Sequence, residues 1–258
     1  MMIFIDSQFI LSLISGIFIG GIAGYLGTLM LLKKMTVAVD PISHFVLPGI
    51  ALAFLFNFDP SLGAFFSIIF GMVLVWFLES KTKLPTEALI AILFTTGVAL
   101  AFLISPHEKL EEVLLGDISK INFSSTMFAI SFSLLTFFSI RKIYKKMVLI
   151  EISEDLARAE KINPKFYLFL YLFFLSIIVA LEVKLVGGLL TAVLIAIPAV
   201  TSRNFAKSLN QYSFFGIFFG SFSAFSGILL AKILNFETSI LITFSALFLF
   251  LISLFWKK

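Results

Sequence analysis

The chain has 258 residues, of which 60% are hydrophobic, 16% aromatic and only 13% charged. This composition excludes an ordinary water-soluble domain and predicts an all-α polytopic membrane protein embedded in the lipid bilayer. The sequence contains no Cys, which excludes disulfides and thiolate metal sites, so any bound metal is held by oxygen and nitrogen atoms. The net charge of +4 is expected to form a basic rim beside lipid headgroups, and it gives no reason to expect a nucleic acid partner.

A helix crosses a bilayer core with about 20 apolar residues, or about 17 where packing allows. On this rule the chain has up to nine transmembrane helices in one domain, residues 1–258, with no separate soluble domain. The predicted spans are 7–32, 41–57, 60–78, 86–104, 124–140, 166–182, 185–201, 212–232 and 238–256. The span at 185–201 has the least support, because it is short and contains Pro198.

The distribution of basic residues predicts the orientation, because Lys and Arg accumulate on the cytoplasmic side of membrane proteins. Nine spans with an external N-terminus place most of the 19 basic residues on the cytoplasmic side. Those residues are Lys33, Lys34, Lys81, Lys83, Arg141, Lys142, Lys145, Lys146, Arg158, Lys161, Lys165, Arg203, Lys207, Lys257 and Lys258. The external side then holds Lys109, Lys120, Lys184 and Lys232, and we expect Glu182 to be exposed to water in an external loop beside Lys184.

Two ionisable residues stand out in the otherwise apolar segment 37–56. Asp40 and His44 are four residues apart, which places them on one face of a helix, and ionisable groups at membrane depth are costly enough to suggest a function. If the helix begins at Pro41, Asp40 is its N-cap, and Pro48 one turn after His44 bends the helix or frees backbone carbonyls. Asp40 as a simple cap and His44 as a hydrogen-bond donor form the competing interpretation. The pair predicts half of a divalent-metal site.

Helix packing is also predicted from small residues at four-residue spacing, which let backbones approach closely in lipid. Gly16, Gly20 and Gly24 line one face of the first span, and Gly216 and Gly220 do the same in the eighth. Tight helix contacts explain this spacing better than a direct role in transport.

Two connections between spans carry most of the remaining charge. The external connection 105–123 is acidic and is predicted to form a short surface helix. On the cytoplasmic side, the connection 143–165 is predicted to contain a helix over about 153–162. Ser153 is its N-cap, Glu154 and Asp155 lie at the positive end of its dipole, and Asn163-Pro164 ends it.

Several segments together resemble the membrane subunits of zinc and manganese ABC importers, the metal ABC transporter permease family. The resemblance covers roughly residues 25 to 230. It is carried by LLKKMTVAVDPISHFVLPGIALAFLF, LPTEALIAILFTTGVALAFLIS, EEVLLGDISKI, EISEDLARAEKI and VGGLLTAVLIAIPAVTSR. The chain departs from the family pattern at Pro41, at Phe45 and at Glu160-Lys161, where small residues are usual.

The resemblance implies a type II ABC importer-like permease bundle of eight or nine helices, working as a homodimer or heterodimer in the cell membrane. Asp40 and His44 match the positions that coordinate the metal in transit, which would be zinc, manganese or iron. The segment 153–162 matches the coupling helix that docks into a cytoplasmic ATPase. That helix includes Glu154, Asp155, Leu156, Ala157, Arg158 and Ala159. An extracytoplasmic metal-binding protein would deliver the ion.

The motifs that the sequence lacks argue against other classes of protein. A GxxxxGK sequence followed by Ser or Thr is absent, so the chain is expected to need ATP hydrolysis on a separate chain rather than to be an enzyme itself. An intramembrane metallohydrolase would need HExxH, which is also absent. A secondary, ion-gradient-driven divalent cation transporter remains the alternative, and the predicted docking helix at 153–162 argues against it.

Overall fold

The computed structural model describes residues 7–82, 84–105, 121–187 and 191–256, and all regular secondary structure in these residues is helical. The elements in the first half are α1 (Ser7–Leu32), a 3₁₀ turn (Thr36–Ala38), α2 (Val39–Ser43), α3 (Val46–Phe56), α4 (Pro60–Thr82) and α5 (Thr86–Ile104). The second half contains α6 (Phe123–Ile152), α7 (Glu154–Ala159), α8 (Pro164–Val186), α9 (Thr191–Phe205), α10 (Leu209–Leu234) and α11 (Thr238–Leu254).

The predicted all-α membrane fold is confirmed. If α2 and α3 are counted as one span, the described residues contain seven helical segments that are long and apolar enough to cross a bilayer. Two shorter helices complete the bundle: α11, with 17 residues, and α9, with 15 residues and an internal Pro198. The nine segments follow the order of the nine predicted spans.

Three predicted span ends lie too early for the same reason. The third span was expected to end at 78, but α4 continues through Glu79 and Lys81 to Thr82. The fifth span was expected to end at 140, but α6 continues through Arg141 and Lys146 to Ile152. The sixth was expected to end at 182, but α8 continues to Val186, so the predicted span 185–201 starts too early and corresponds to α9. Charged residues mark where the apolar slab ends, but Lys, Arg and Glu are good helix formers, so the helix does not end with it.

Helix α1 lies in the core of the bundle and packs closely against α10 through glycines. A Cβ atom added to Gly20 would lie 2.7 Å from the carbonyl oxygen of Gly220, and one added to Gly24 would collide with the carbonyl of Gly216. The two backbones therefore touch directly, which confirms that these glycine faces make close helix contacts; that the two faces pack against each other was not predicted.

A second glycine contact, which the sequence analysis missed, joins α3 to α4. A Cβ atom on Gly49 would collide with the Gly63 carbonyl, and the reverse is also true. Helix α5 packs beside α3 and α4, but most of its surface is left open within this chain. The predicted external helix lies in residues 106–120, outside the described residues.

One end of the bundle carries most of the described cationic side chains and is called the basic face. It contains the end of α1, all of α7 and the start of α8, and a salt bridge of 3.3 Å between Lys33 and Glu151 joins two of its connections. The other end, where α3 meets α4 at Asn57, is called the opposite face.

Candidate functional site

The second span is interrupted at the residues singled out from the sequence. Helix α2 ends at Ser43, α3 begins at Val46, and His44 and Phe45 lie between them. The prediction that the helix begins at Pro41 with Asp40 as its N-cap is wrong, because α2 begins at Val39 and Asp40 lies in its first turn. His44 keeps right-handed helical backbone angles, so Asp40 and His44 remain one turn apart on one side of the segment.

Pro48 explains the position of the break. A proline has no N–H to donate, and its ring collides with the carbonyl four residues earlier, which is that of His44. Tighter turns replace the helix there: the Phe45 N–H donates to the Ile42 carbonyl (3.1 Å) and the Leu47 N–H to the His44 carbonyl (3.0 Å). Pro48 falls in the first turn of α3, where no intrahelical donor is needed. The helix is thus interrupted one turn before the proline.

The backbone of α2 orients the His44 imidazole. Its Nδ1 atom lies 3.0 Å from the carbonyl oxygen of Asp40, which also accepts a 2.7 Å hydrogen bond from the Ser43 hydroxyl. The Ser43 hydroxyl also lies 3.2 Å from Nδ1. A carbonyl oxygen can only accept, so the contact with Asp40 is a hydrogen bond in the tautomer that carries its proton on Nδ1, and in that tautomer the lone pair is on Nε2. Such a hydrogen bond on the second ring nitrogen is typical of histidines that bind metal. Ser43 and the Asp40 carbonyl were missed by the sequence analysis.

Asp40 and His44 lie on the accessible side of the second span. Asp40 is exposed and His44 is half-buried, and Pro48 and Leu52 continue the same side of α3. His44 is about 12 Å along the segment from Thr36 and about 18 Å from Phe56 at ~1.5 Å per residue, which is close to the middle of a bilayer core. An edge-on contact with the Phe94 ring of α5, with ring centroids 5.3 Å apart, covers one side of the imidazole.

The described residues of one copy do not supply a complete metal site. Within residues 7–82, 84–105, 121–187 and 191–256, no group of three or more His, Cys, Asp or Glu is placed to hold a metal ion. Stable zinc sites use four ligands and harder divalent ions use six. A metal ion held by Asp40 and His44 would need further ligands from water, backbone or a second chain.

The predicted docking helix forms at the expected place. Ser153 is the N-cap of α7 and its hydroxyl accepts a hydrogen bond from the Leu156 N–H (3.3 Å), as predicted. Ala157 is buried against the bundle, whereas Leu156 is 57% exposed. Asn163-Pro164 does not end this helix, contrary to the prediction: α7 ends at Ala159, and Asn163 and Pro164 are the N-cap and first residue of α8.

Glu182 is the clearest error of the sequence analysis. It was assigned to a water-exposed external loop, but it is 0% exposed inside α8, and both carboxyl oxygens lack a hydrogen-bond partner among the described residues. The sequence did contain a signal for the true end of this helix. After Pro164 there is no Gly or Pro before Gly187, which follows the last helical residue and has φ 87°.

Residues on both sides of α7 connect it to the rest of the bundle. On its N-terminal side, Glu151 pairs with Lys33, just before the segment that leads to Asp40. On its C-terminal side, the Trp76 Nε1–H of α4 donates to the Lys165 carbonyl (2.8 Å), and the Lys165 Nζ donates to the Ser80 carbonyl (3.0 Å). No spacing in the sequence predicted either contact.

Comparison with known proteins gives consistent results. The model of the ABC 3 transport family matches residues 6–257. The manganese import system permease protein ScaB of Streptococcus gordonii is 25% identical over 248 residues, which cover 95% of this chain and 89% of that protein. The high-affinity zinc uptake system membrane protein ZnuB of Haemophilus influenzae is 26% identical over 253 residues, covering 96% and 97%.

The fold is also found among solved structures. A chain in PsaBC from Streptococcus pneumoniae in complex with Fab superposes with a TM-score of 0.82 and 24% identity, over 96% of this chain and 91% of that one. The family match spans nearly all of the chain and agrees with a multi-pass membrane bundle. This protein therefore belongs to the ABC 3 transport family.

Proposed function

We propose that this chain is the membrane-spanning permease subunit of an ATP-driven importer that moves a divalent transition-metal ion, zinc or manganese, into the cytoplasm. The chain is a transport subunit, and ATP is hydrolysed on a separate chain. The observation that carries the proposal is the interrupted second span, which holds a carboxylate and an oriented imidazole near mid-membrane. The basic face is the cytoplasmic face, because Lys and Arg accumulate on that side.

Asp40 and His44 are the proposed metal ligands. Imidazole suits zinc and other late transition metals, whereas carboxylate also suits manganese, so this pair is compatible with either ion. An incomplete ligand set suits transport, because an ion that is bound too well is not released. An extracytoplasmic metal-binding protein would deliver the ion at the opposite face.

A second permease copy is the proposed source of further ligands. Helix α5 lies beside His44 and leaves one side open along its length, where small residues recur: Ala88, Ala91, Thr95 and Ala99 are exposed. Small residues at three- and four-residue spacing let transmembrane helices pack closely. A two-fold dimer through this side of α5 would bring two Asp40–His44 pairs toward one path.

Helix α7 is the proposed docking helix for the ATPase. It lies on the basic face, and Glu154, Asp155, Leu156, Arg158 and Ala159 are exposed while Ala157 faces the bundle. An exposed leucine flanked by charges is the pattern of a protein interface with an apolar centre and a polar rim.

The test is metal uptake by proteoliposomes containing the permease and its ATPase. Asp40→Asn and His44→Gln should each lower ATP-dependent uptake at least tenfold, the range found when metal-site groups are changed. The control is Asp59→Asn, an exposed acid at the opposite face that caps α4 through a 2.7 Å hydrogen bond from the Ser61 N–H. All three proteins should elute and unfold like the wild type.

Normal uptake by the Asp40 or His44 variant would contradict the metal site. Uptake that needs an ion gradient but no ATP would contradict the importer and favour a secondary transporter. Competition between zinc, manganese and iron, measured element by element in the same vesicles, identifies the transported ion.

A further inference from the structure

The end of α7 has a lysine where the backbone favours glycine. The Ile162 N–H donates to the Ala157 carbonyl (2.9 Å) and the Lys161 N–H to the Arg158 carbonyl (3.0 Å), which is a Schellman cap. Lys161 has φ 58°, the left-handed conformation. A side chain there costs about 1 kcal/mol or more relative to glycine. The backbone therefore does not explain Lys161, so its charge is the feature to explain.

The residues of this cap surround an open cavity of about 430 Å³ on the basic face. It is lined by Arg158, Lys161, Ile162, Asn163, Pro164 and Lys165. Two of the three cations are already engaged: Arg158 pairs with Glu154, and the Lys165 Nζ donates to the Ser80 carbonyl. The ammonium group of Lys161 has no hydrogen bond or ion pair with any other residue that the structure describes. The cavity thus carries excess positive charge with one uncommitted ammonium group.

We infer that this cavity receives an acidic side chain of the ATPase subunit, with Lys161 as its ion-pair partner. The inference rests on the proposed function, because it extends the docking surface of α7. Its occupant is anionic by charge complementarity, and Arg158 of the cavity lining belongs to the same short helix as the exposed Leu156.

A protein carboxylate fits better than an anionic lipid headgroup. Helix α7 and its cap also carry Glu154, Asp155 and Glu160, all exposed, next to the cavity. An anionic lipid surface presents negative charge to the whole helix, so it would attract Lys161 and also repel all three carboxylates, whereas a protein can place a single carboxylate at the cavity. A protein groove with an apolar floor and a charged rim accommodates both signs.

Lys34 provides a matched control. It ends α1 on the same face, with φ 58° and the same cap: the Lys34 N–H donates to the Leu31 carbonyl (3.1 Å) and the Met35 N–H to the Met30 carbonyl (2.9 Å). The negative end of the helix dipole and the bias of the basic face favour a lysine at both positions, so the cavity is the feature that distinguishes Lys161 from Lys34. Lys34→Gly and Lys161→Gly remove the same charge and the same backbone strain. Lys34 does not line the cavity, so only Lys161→Gly removes the free cation from it.

The experiment measures the affinity of the full-length permease for its ATPase in detergent, together with thermal unfolding of the permease. Both glycine variants should unfold at the same temperature as the wild type or higher. Lys161→Gly should weaken ATPase binding about two- to fivefold, the size of one exposed ion pair, and the difference should shrink at high salt. Lys34→Gly and Lys161→Arg should bind like the wild type.

Unchanged affinity of Lys161→Gly, or an equal loss in Lys34→Gly, would overturn the inference. So would a loss of binding to phosphatidylglycerol vesicles with no loss of ATPase affinity, which would identify a lipid headgroup instead. Leu156→Asp separates this outcome from a failure of the proposed function. If Leu156→Asp prevents assembly while Lys161→Gly has no effect, α7 is the docking helix and only the role of the cavity is wrong. If neither variant changes assembly with the ATPase, docking through α7 is wrong as well.

Discussion

Replacing Glu182 should stabilise the protein. Glu182 follows Tyr171 by about three helical turns, which places both residues on the same side of α8. The Tyr171 hydroxyl donates to the Leu26 carbonyl of α1 (3.2 Å), so this side of α8 is the one that packs against α1. The antiparallel direction of the two helices brings Ser15 of α1 to the same level, where its hydroxyl donates to Thr126 of α6 (3.1 Å). The described cations of α4, α6 and α9 all lie toward the basic face, at the far end of α8.

The magnitude follows from the two carboxyl oxygens without partners. A buried polar group that loses its hydrogen bonds to water costs about 1–3 kcal/mol, and more when it is charged. Glu182→Met keeps the length of the side chain and removes both oxygens, so we expect a gain of about 1–3 kcal/mol. For a chain of this size each kcal/mol raises the unfolding temperature by about 2–4 °C.

The assay is thermal unfolding of the purified permease in detergent, followed by intrinsic fluorescence. Glu182→Gln keeps two polar atoms in the same place and should give a smaller gain than Glu182→Met. Glu87→Met, at an exposed position in the first turn of α5, should change little. A lower unfolding temperature for Glu182→Met would refute the reasoning, because it would mean that the carboxyl group is stabilised by its surroundings.

Two further predictions concern packing and capping. Gly24→Ala should lower the unfolding temperature, because pushing a methyl group into the Gly216 carbonyl costs about 1–3 kcal/mol, more than the gain of up to about 1 kcal/mol in helix propensity. Gly97→Ala meets only the Pro48 ring at 3.1 Å and should be nearly neutral; equal effects would contradict the backbone contact. Ser153→Ala should remove about 1 kcal/mol from α7 alone, which reduces ATP-dependent uptake without changing unfolding of the bundle. Normal coupling in Ser153→Ala would show that the cap does not order the docking helix.

The apolar runs were sufficient to predict the bundle, because a helix that crosses lipid must satisfy its own backbone hydrogen bonds. The bounds of α1 and α5 agree with the predicted 7–32 and 86–104. Helix ends that lie in charged sequence, as in α6 and α8, were predicted less well. Hydropathy shows where the chain leaves the bilayer, but a helix can continue past that point as long as its backbone hydrogen bonds do. Glycine spacing predicted close packing at the glycine faces of α1 and α10, without identifying them as partners. It missed Gly49 and Gly63, because each helix carries only one glycine at that contact and a single glycine has no periodicity.

The candidate site was predicted in its residues but not in its geometry. Spacing alone brought Asp40 and His44 to one side of a helix, and Pro48 indicated a bend. The position of the break depends on which carbonyl the proline ring displaces. The orientation of the His44 ring depends on its contact with the Asp40 carbonyl oxygen, within the same turn. Phe94 contacts His44 from a helix more than forty residues later, a contact that no local pattern encodes.

The two proposed functional regions are connected by short, rigid contacts. Glu151 immediately precedes α7 and pairs with Lys33, which ends α1 shortly before Asp40. Lys165 follows α7 and is held to α4 through Trp76, and α4 in turn touches α3 at the glycine contact beyond Pro48. The break at His44 therefore lies between two segments that are each connected to one side of the docking helix. A displacement of α7 by a bound ATPase would act on both sides of that break, where the absence of continuous helical hydrogen bonds makes the second span easiest to bend.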